Sequence, residues 1–152
     1  MYTRILVPLD GSKRAERILG HVEAVAQRFE AKVIFLQVIE LPPYPPLGSV
    51  GSNLYRPDYQ EQLGEREKMA QSYLGGLAGE FRERQIEAET RTSYGSVVQS
   101  ILDTAERYGA DLIALASHGR TGLSQVFYGS VAAGVLHHAD RPLLIIRSRD
   151  NQ

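Results

Sequence analysis

Two segments of the chain carry residue types that suit the binding of an anionic ligand. The first covers residues 8–12 (Pro-Leu-Asp-Gly-Ser), and the second runs from Ser117-His118-Gly119 to Gly129-Ser130, at the predicted start of a helix. A helix N-terminus offers unpaired N–H groups and the positive end of a dipole, which suits phosphate. Glycine allows close approach of the backbone to phosphate oxygens, and the Ser130 hydroxyl adds a donor. By spacing alone, the alternative that Gly119 and Gly122 are ordinary turn residues is slightly favoured.

The motifs that the chain lacks narrow the chemistry. It has no G-x-x-x-x-G-K-[ST] P-loop, no G-x-G-x-x-G after the first predicted strand and no G-x-S-x-G nucleophile elbow. It has no cysteine, which excludes disulfides, thiol nucleophiles and thiolate metal sites. His137 and His138 are adjacent, so on a helix they diverge by about 100° and do not form a metal-binding i,i+4 pair. An ATP-pyrophosphatase needs an SGG-type turn, where this chain has Leu9-Asp10-Gly11-Ser12.

Apolar patterns predict the elements that must position these residues. Short apolar or β-branched runs predict five strands, and apolar residues at helical spacing predict four helices between them. The strands are 5–9, 32–39, 88–93, 111–116 and 142–147, and the helices are 15–29, 59–84, 97–108 and 129–138. Residues 117–128 are predicted as a loop, and five prolines predict a second, extended loop at about 40–58. This alternation predicts an α/β fold with a doubly wound parallel sheet, as a single domain over 1–152.

Composition limits the partners and the location of the protein. The 152 residues carry a formal net charge of -1, so no overall positive field attracts nucleic acid or an anionic membrane. No apolar run approaches the ~18–20 residues that span a bilayer. The first residues lead directly into a predicted strand, which argues against a signal peptide, and the lack of cysteine suits a reducing compartment. We therefore expect a cytoplasmic protein that binds neither nucleic acid nor membranes.

The two segments are also parts of a longer pattern. The run 5–12 (ILVPLDGS), the segment 116–130 (ASHGRTGLSQVFYGS) and the run 141–147 (RPLLIIR) together resemble the universal stress protein family, in order and over essentially the whole chain. Nucleotide-binding members of that family carry the motif G-x2-G-x9-G-[ST]. In this chain Gly119 is the second glycine and Gly129-Ser130 close the motif, but Ala116 stands at the first glycine. If that glycine serves close backbone approach, the methyl group of Ala116 would crowd the ribose or the phosphates.

The resemblance implies a Rossmann-like sheet of order 3-2-1-4-5 with an adenine-nucleotide site at its carboxyl edge. It implies that Asp10 contacts adenine or ribose, that Val38 lines the adenine slot, and that backbone N–H groups and a serine hydroxyl hold the phosphates. The implied contact residues are Pro8, Leu9, Asp10, Val38, Leu115, Ala116, Gly119, Gly129, Ser130 and Val131, with His118 and Arg120 as additional candidates. Two structural alternatives stay open: Asp10 could cap the first helix, and Val38 could simply be a core residue.

The resemblance also implies a function. It implies a universal stress protein that binds ATP, with ADP or AMP as alternatives, and acts as a nucleotide-responsive regulatory or binding module in the stress response. Mg²⁺ would arrive with the nucleotide, and a homodimer would cover the apolar edge strand 142–147. No residue pair resembles an activated nucleophile with its base, so we expect no catalytic residues and at most slow ATP hydrolysis. The alternative is a nucleotide-independent scaffold that docks an unidentified protein partner, which Ala116 and the proline-rich loop favour.

Overall fold

The computed structural model of the chain describes residues 1–41, 57–119 and 129–149. The strands are β1 (Arg4–Pro8), β2 (Lys32–Ile39), β3 (Ala88–Tyr94), β4 (Leu112–Gly119) and β5 (Leu143–Arg149). The helices are α1 (Leu19–Phe29), which follows a 3-10 turn (Ala15–Ile18), α2 (Pro57–Glu83), α3 (Val97–Arg107) and α4 (Ser130–His138). Residues 42–56 of the predicted proline-rich loop lie outside the described residues.

All five strands form one parallel sheet in the order β3-β2-β1-β4-β5. The predicted fold class and strand order are therefore confirmed. From β1 the chain moves outward to β2 and β3, and then returns to the other side of β1 for β4 and β5. The strand order thus reverses between β1 and β4, and such a switch point is where α/β sheets leave a crevice beyond the carboxyl ends of their strands.

Two apolar clusters cover the two faces of the sheet. The cluster on the α1/α2 face contains Phe35 and Phe81, whose rings meet edge to face with centroids 5.0 Å apart. The cluster on the α3/α4 face contains Leu6, Ile101 and Val135. Because β1 and β2 supply side chains to both clusters, both of their faces are buried, which explains why their sequences are almost continuously apolar.

Helix α2 ties the edge strand β3 to the sheet. The hydroxyl groups of Tyr94 and Thr92 on β3 both donate to the carboxylate of Glu67 on α2. Further along the same helix, Leu74 and Phe81 are buried in the core. In the described parts of the chain, α2 included, no helix is both long and apolar enough to cross a membrane.

Several element boundaries differ from the prediction. Strand β4 continues to Gly119, so residues 117–119 are strand and the prediction of a loop there was wrong. The reason is that β5 pairs along β4 as far as Gly119 opposite Arg149, and this pairing also extends β5 beyond its predicted end. Helix α4 begins at Ser130 because Gly129 has φ 72° and ψ 153°, which is not a helical conformation.

Candidate functional site

A cleft of about 520 Å³ lies at the carboxyl edge of the sheet, at the point where the strand order reverses. The ends of β1, β2 and β4 line it, together with the first turn of α4 and residues of α2 and α3. Because the strands are parallel, their carboxyl ends meet at this one edge, and residues distant in sequence come together.

Most of the residues that the sequence singled out line this cleft. They come from the ends of three strands and from the start of one helix. The residues are Pro8, Leu9, Asp10, Val38, Leu115, Ala116, Gly129, Ser130 and Val131. The sequence therefore predicted a set of residues that the fold brings together around one cavity.

Three of the predicted residues are not among the described lining residues of the cleft. Gly119 is the last residue of β4, where it pairs with Arg149, and the described lining of the cleft ends on this strand at Ser117. His118 pairs with Ser148 in the same ladder. Arg120 lies outside the described residues.

The carboxylate of Asp10 is held by its neighbour in the turn after β1. Oδ1 of Asp10 accepts hydrogen bonds from the backbone N–H of Ser12 at 2.9 Å and from its hydroxyl at 2.6 Å. The Ser12 hydroxyl in turn accepts from the N–H of Ala15, at 3.2 Å, where the 3-10 turn begins. The hydrogen bond that caps the 3-10 turn therefore comes from Ser12, and Asp10 holds Ser12 in position. Both of the hydrogen bonds from Ser12 go to Oδ1 of Asp10, so neither of them occupies Oδ2.

The start of α4 presents free backbone donors to the cleft. Gly129, just before the helix, has φ 72° and ψ 153°, a conformation that is essentially restricted to glycine. Within the described residues no side chain caps this helix, and its first intrahelical bond runs from the N–H of Ala133 to the carbonyl of Gly129. The N–H groups of residues 130–132 therefore have no partner within the helix, and the helix dipole adds positive potential there.

The methyl group of Ala116 lies on the side of the sheet opposite to α4. Ala116 packs against the cluster on the α1/α2 face, whereas its neighbour Leu115 belongs to the cluster on the α3/α4 face. That second cluster also contains Ala132 of α4, and Val131 packs against it. The side chain of Ala116 therefore points away from the free N–H groups of α4.

Helix α2 contributes lining residues that the sequence did not single out. Arg66 and Met69 both line the cleft, and Nη1 of Arg66 donates to the carbonyl of Glu40 at 3.1 Å. Nothing in the sequence identified these two residues, because they lie on the polar face of a helix. Gln37 and Ser117 also line the cleft. The sequence could have identified Gln37 as a candidate site residue, since it is the one uncharged polar residue in the apolar run 32–39.

The described lining of the cleft contains one cationic side chain, so an anion there would be held mainly by backbone N–H groups. The charged residues in its described lining are Asp10, Glu40 and Arg66, and Arg66 already donates to a carbonyl.

Beside the cleft, the Tyr73 hydroxyl donates to Glu16 at 3.2 Å. Burial, and then the negative charges of Glu16 and Asp10, raise the pKa of Tyr73, which keeps it a donor. Within the described ranges, no group of three or more His, Asp or Glu residues could hold a metal ion.

The family model described as the universal stress protein family matches residues 1–147. The chain belongs to the universal stress protein family. A universal stress protein of Methanocaldococcus jannaschii is 29% identical over an alignment of 152 positions, and this alignment covers 97% of this chain and 83% of that relative. The solved structure of a hypothetical protein from the same organism superposes with a TM-score of 0.80 at 27% identity, and covers 100% of this chain and 99% of that one.

Two further solved structures contain adenine nucleotides. One universal stress protein was solved in complex with cAMP, at 20% identity and a TM-score of 0.65 to this chain, covering 97% of this chain and 98% of that one. Another, from Archaeoglobus fulgidus, was solved in complex with dAMP, at 21% identity and a TM-score of 0.62, covering 95% and 98%. At these identities the likeness to this universal stress protein concerns the fold.

Proposed function

We propose that this universal stress protein binds an adenine nucleotide, with ATP favoured, in the cleft at the carboxyl edge of its sheet. The observation that carries the proposal is the position of Asp10 and of the uncapped start of α4 around a single cavity. Relatives of the same fold were solved with cAMP and dAMP, which supports a ligand with an adenine base and a phosphate.

Each part of the cleft suits one part of such a ligand. Val38 and Leu115 offer apolar surface for the flat base. Oδ2 of Asp10 can accept hydrogen bonds from ribose hydroxyl groups, because Ser12 engages only Oδ1. The N–H groups at the start of α4 and the exposed Ser130 hydroxyl suit phosphate oxygens. Gly119 remains a proposed phosphate contact through its backbone, with His118 and Arg120 as additional candidates, and Mg²⁺ would bind mainly through phosphate and water.

Ala116 is compatible with this proposal. The residue stands where nucleotide-binding relatives carry the first glycine of their motif. Its methyl group packs on the α1/α2 face, away from the free N–H groups that would hold phosphate. The cavity of about 520 Å³ is present with this alanine in place, and such a volume lies in the range of small-molecule sites.

A change at Gly129 tests the proposal. In Gly129→Val the backbone would have to leave φ 72°, which is strongly unfavourable for a β-branched residue, and the start of α4 would move. We expect ATP affinity, measured by isothermal titration calorimetry, to fall by at least about tenfold. The matched control is Gly109→Val at the opposite edge of the sheet, where φ is also positive, at 63°, and the nearest atom is the mobile end of Arg4.

The outcomes separate the two functions. Wild-type protein that takes up ATP, with a loss in Gly129→Val but not in Gly109→Val, supports the nucleotide-responsive module. Wild-type protein that gives no heat with ATP, and no shift in melting temperature, would leave the scaffold function. A ligand at 100 times its Kd should stabilise the protein by ~2.7 kcal/mol, so a missing shift is informative.

We also propose that the protein forms a homodimer through residues 142–147. Strand β5 lies at one edge of the sheet, and its residues Leu143 to Ile146 are only partly buried in the single chain. An apolar edge strand of this kind favours pairing with a second strand. Light scattering on the protein as it elutes from a size-exclusion column should give twice the mass of the chain. A monomer at micromolar concentration would contradict the proposal.

A further inference from the structure

Ser117 carries a buried hydroxyl group without a hydrogen-bond partner. The residue is 2% exposed, and its Oγ finds no donor or acceptor in the parts of the chain that the structure describes. Native proteins satisfy nearly all buried polar groups, so an exception of this kind calls for a reason. Ser117 also lines the cleft, which suggests that its partner is a ligand.

The register of β4 places this hydroxyl on the same face of the sheet as α4. Side chains alternate between the two faces of a strand, so Ser117 shares a face with Ile113 and Leu115. Both of those residues belong to the cluster that contains Ala132 of α4. The free N–H groups at the first turn of α4 and the Ser117 hydroxyl therefore lie on the same side of the sheet.

We propose that the Ser117 hydroxyl is a further binding group of this site, and that it donates a hydrogen bond to a phosphate oxygen of the bound nucleotide. This inference rests on the proposed nucleotide binding and adds one residue and one ligand group to it. A phosphate oxygen is the matching acceptor, because it is anionic and the neighbouring helix start favours negative charge. The hydroxyl is already buried in the free protein, so the bond adds little further desolvation cost for Ser117.

Ser148 supplies a matched control. It is 1% exposed, and its Oγ likewise has no hydrogen-bond partner within the described ranges. It lies on the neighbouring strand β5, opposite His118, and it is not among the described lining residues of the cleft. Ser117→Ala and Ser148→Ala thus remove the same buried, unpartnered group from two adjacent strands, and only the first alters the cleft.

The test measures ATP and adenosine binding by calorimetry, with displacement titrations where heats are small, for the wild type and both variants. We expect Ser117→Ala to lose about tenfold in ATP affinity, the size expected for one hydrogen bond to a charged group. Its adenosine affinity should stay within about twofold, since adenosine has no phosphate, and Ser148→Ala should match the wild type with both ligands. Without nucleotide, neither variant should melt at a lower temperature, because neither loses a satisfied hydrogen bond.

Several results would overturn the inference while the proposed function stands. Unchanged ATP affinity in Ser117→Ala would exclude the contact, and an equal loss for adenosine would assign it to the ribose or base. An equal loss in Ser148→Ala would reveal an indirect effect on the fold. A clear drop in the melting temperature of nucleotide-free Ser117→Ala would mean that the hydroxyl has a structural partner. If the wild type binds neither ligand, the proposed function fails and this inference fails with it.

Discussion

The two edges of the sheet differ in whether their polar groups find hydrogen-bond partners among the described residues. At the amino edge, the carboxylate of Asp111 accepts hydrogen bonds from the N–H groups of Thr3 and Arg4 and from the Thr3 hydroxyl, at 2.6–3.1 Å. The guanidinium of Arg141 there donates to the carbonyl of Ala110 and to Glu106. These contacts join the start of β1 to the start of β4, and α3 to β5.

At the carboxyl edge, several polar groups lack a hydrogen-bond partner among the described residues. Oε1 of Gln37 and Oγ of Ser117 are buried without a hydrogen-bond partner among the described residues. Ser96 before α3 supplies no side-chain cap to its helix, and Gly129 before α4 has no side chain that could supply one. Unmet hydrogen bonds cost stability, and those of Gln37 and Ser117 lie in the lining of the cleft, which supports the proposal that this edge receives a ligand. The amino edge, where the bonds are made, serves stability.

This comparison predicts that changes at the carboxyl edge alter ligand affinity, and that changes at the amino edge alter stability alone. The largest effect is expected for Gly134→Val in α4. Even a single methyl carbon at Gly134 would lie 2.6 Å from Cγ2 of Val98 on α3, and the stiff side chain of Val98 cannot move aside easily. We expect a loss of about 3 kcal/mol in the free energy of unfolding, measured with urea, and weaker ATP binding because the start of α4 shifts.

Two further variants sharpen that prediction. Gly75→Val in α2 introduces the same side chain into a helix at a position with open space around it, and should leave both quantities nearly unchanged. Adding Val98→Ala to Gly134→Val should recover part of the lost stability. If the double variant is destabilised by the full sum of the two single changes, the contact between α3 and α4 is not the cause.

At the amino edge, Asp111→Ala should lower the free energy of unfolding by about 1–2 kcal/mol at neutral pH and leave ATP affinity unchanged. Burial alone would raise the pKa of Asp111, but the hydrogen bonds from Thr3 and Arg4 outweigh it and hold the pKa below its ordinary value of 3.8. Folding thus favours the ionised form. The stabilisation by the ionised Asp111 carboxylate is complete at pH values above 3.8, and it is lost as the pH falls through the lower pKa of the folded state.

The measurement is a urea titration of the wild type and Asp111→Ala at several pH values. The stability difference between them should be constant near neutrality and shrink in acid. A difference that grows in acid, or a change in ATP affinity, would contradict the assignment of separate roles to the two edges.

The smallest effect is expected for Ser12→Ala, which removes one of the two hydrogen bonds to Oδ1 of Asp10 and the contact with the N–H of Ala15. We expect a loss of about 0.5–1 kcal/mol in stability and a two- to fivefold loss in ATP affinity, by calorimetry. Ser12→Thr keeps a hydroxyl and should retain most of both. Equal losses in the two variants would show that the hydroxyl does not position Asp10.

Local patterns predicted the elements, and the resemblance to the universal stress protein family implied their order in the sheet and most of the residues that line the cleft. Periodicity identified β1 and β2, because a buried strand requires apolar residues on both faces. The position of Asp10 at the end of β1, and of Gly129 before α4, placed both at the carboxyl edge once the strands were taken as parallel. These inferences need only local patterns and the rule that parallel strands end together.

The tertiary structure decided what surrounds each of those residues. Residues 117–119 look like a loop locally, yet pairing with β5 makes them strand and buries the Ser117 hydroxyl. Arg66 reaches the cleft only through the packing of α2, and the methyl group of Ala116 avoids the start of α4 only through the alternation of β4. Such facts depend on contacts between segments far apart in the chain, which no local pattern of residues contains.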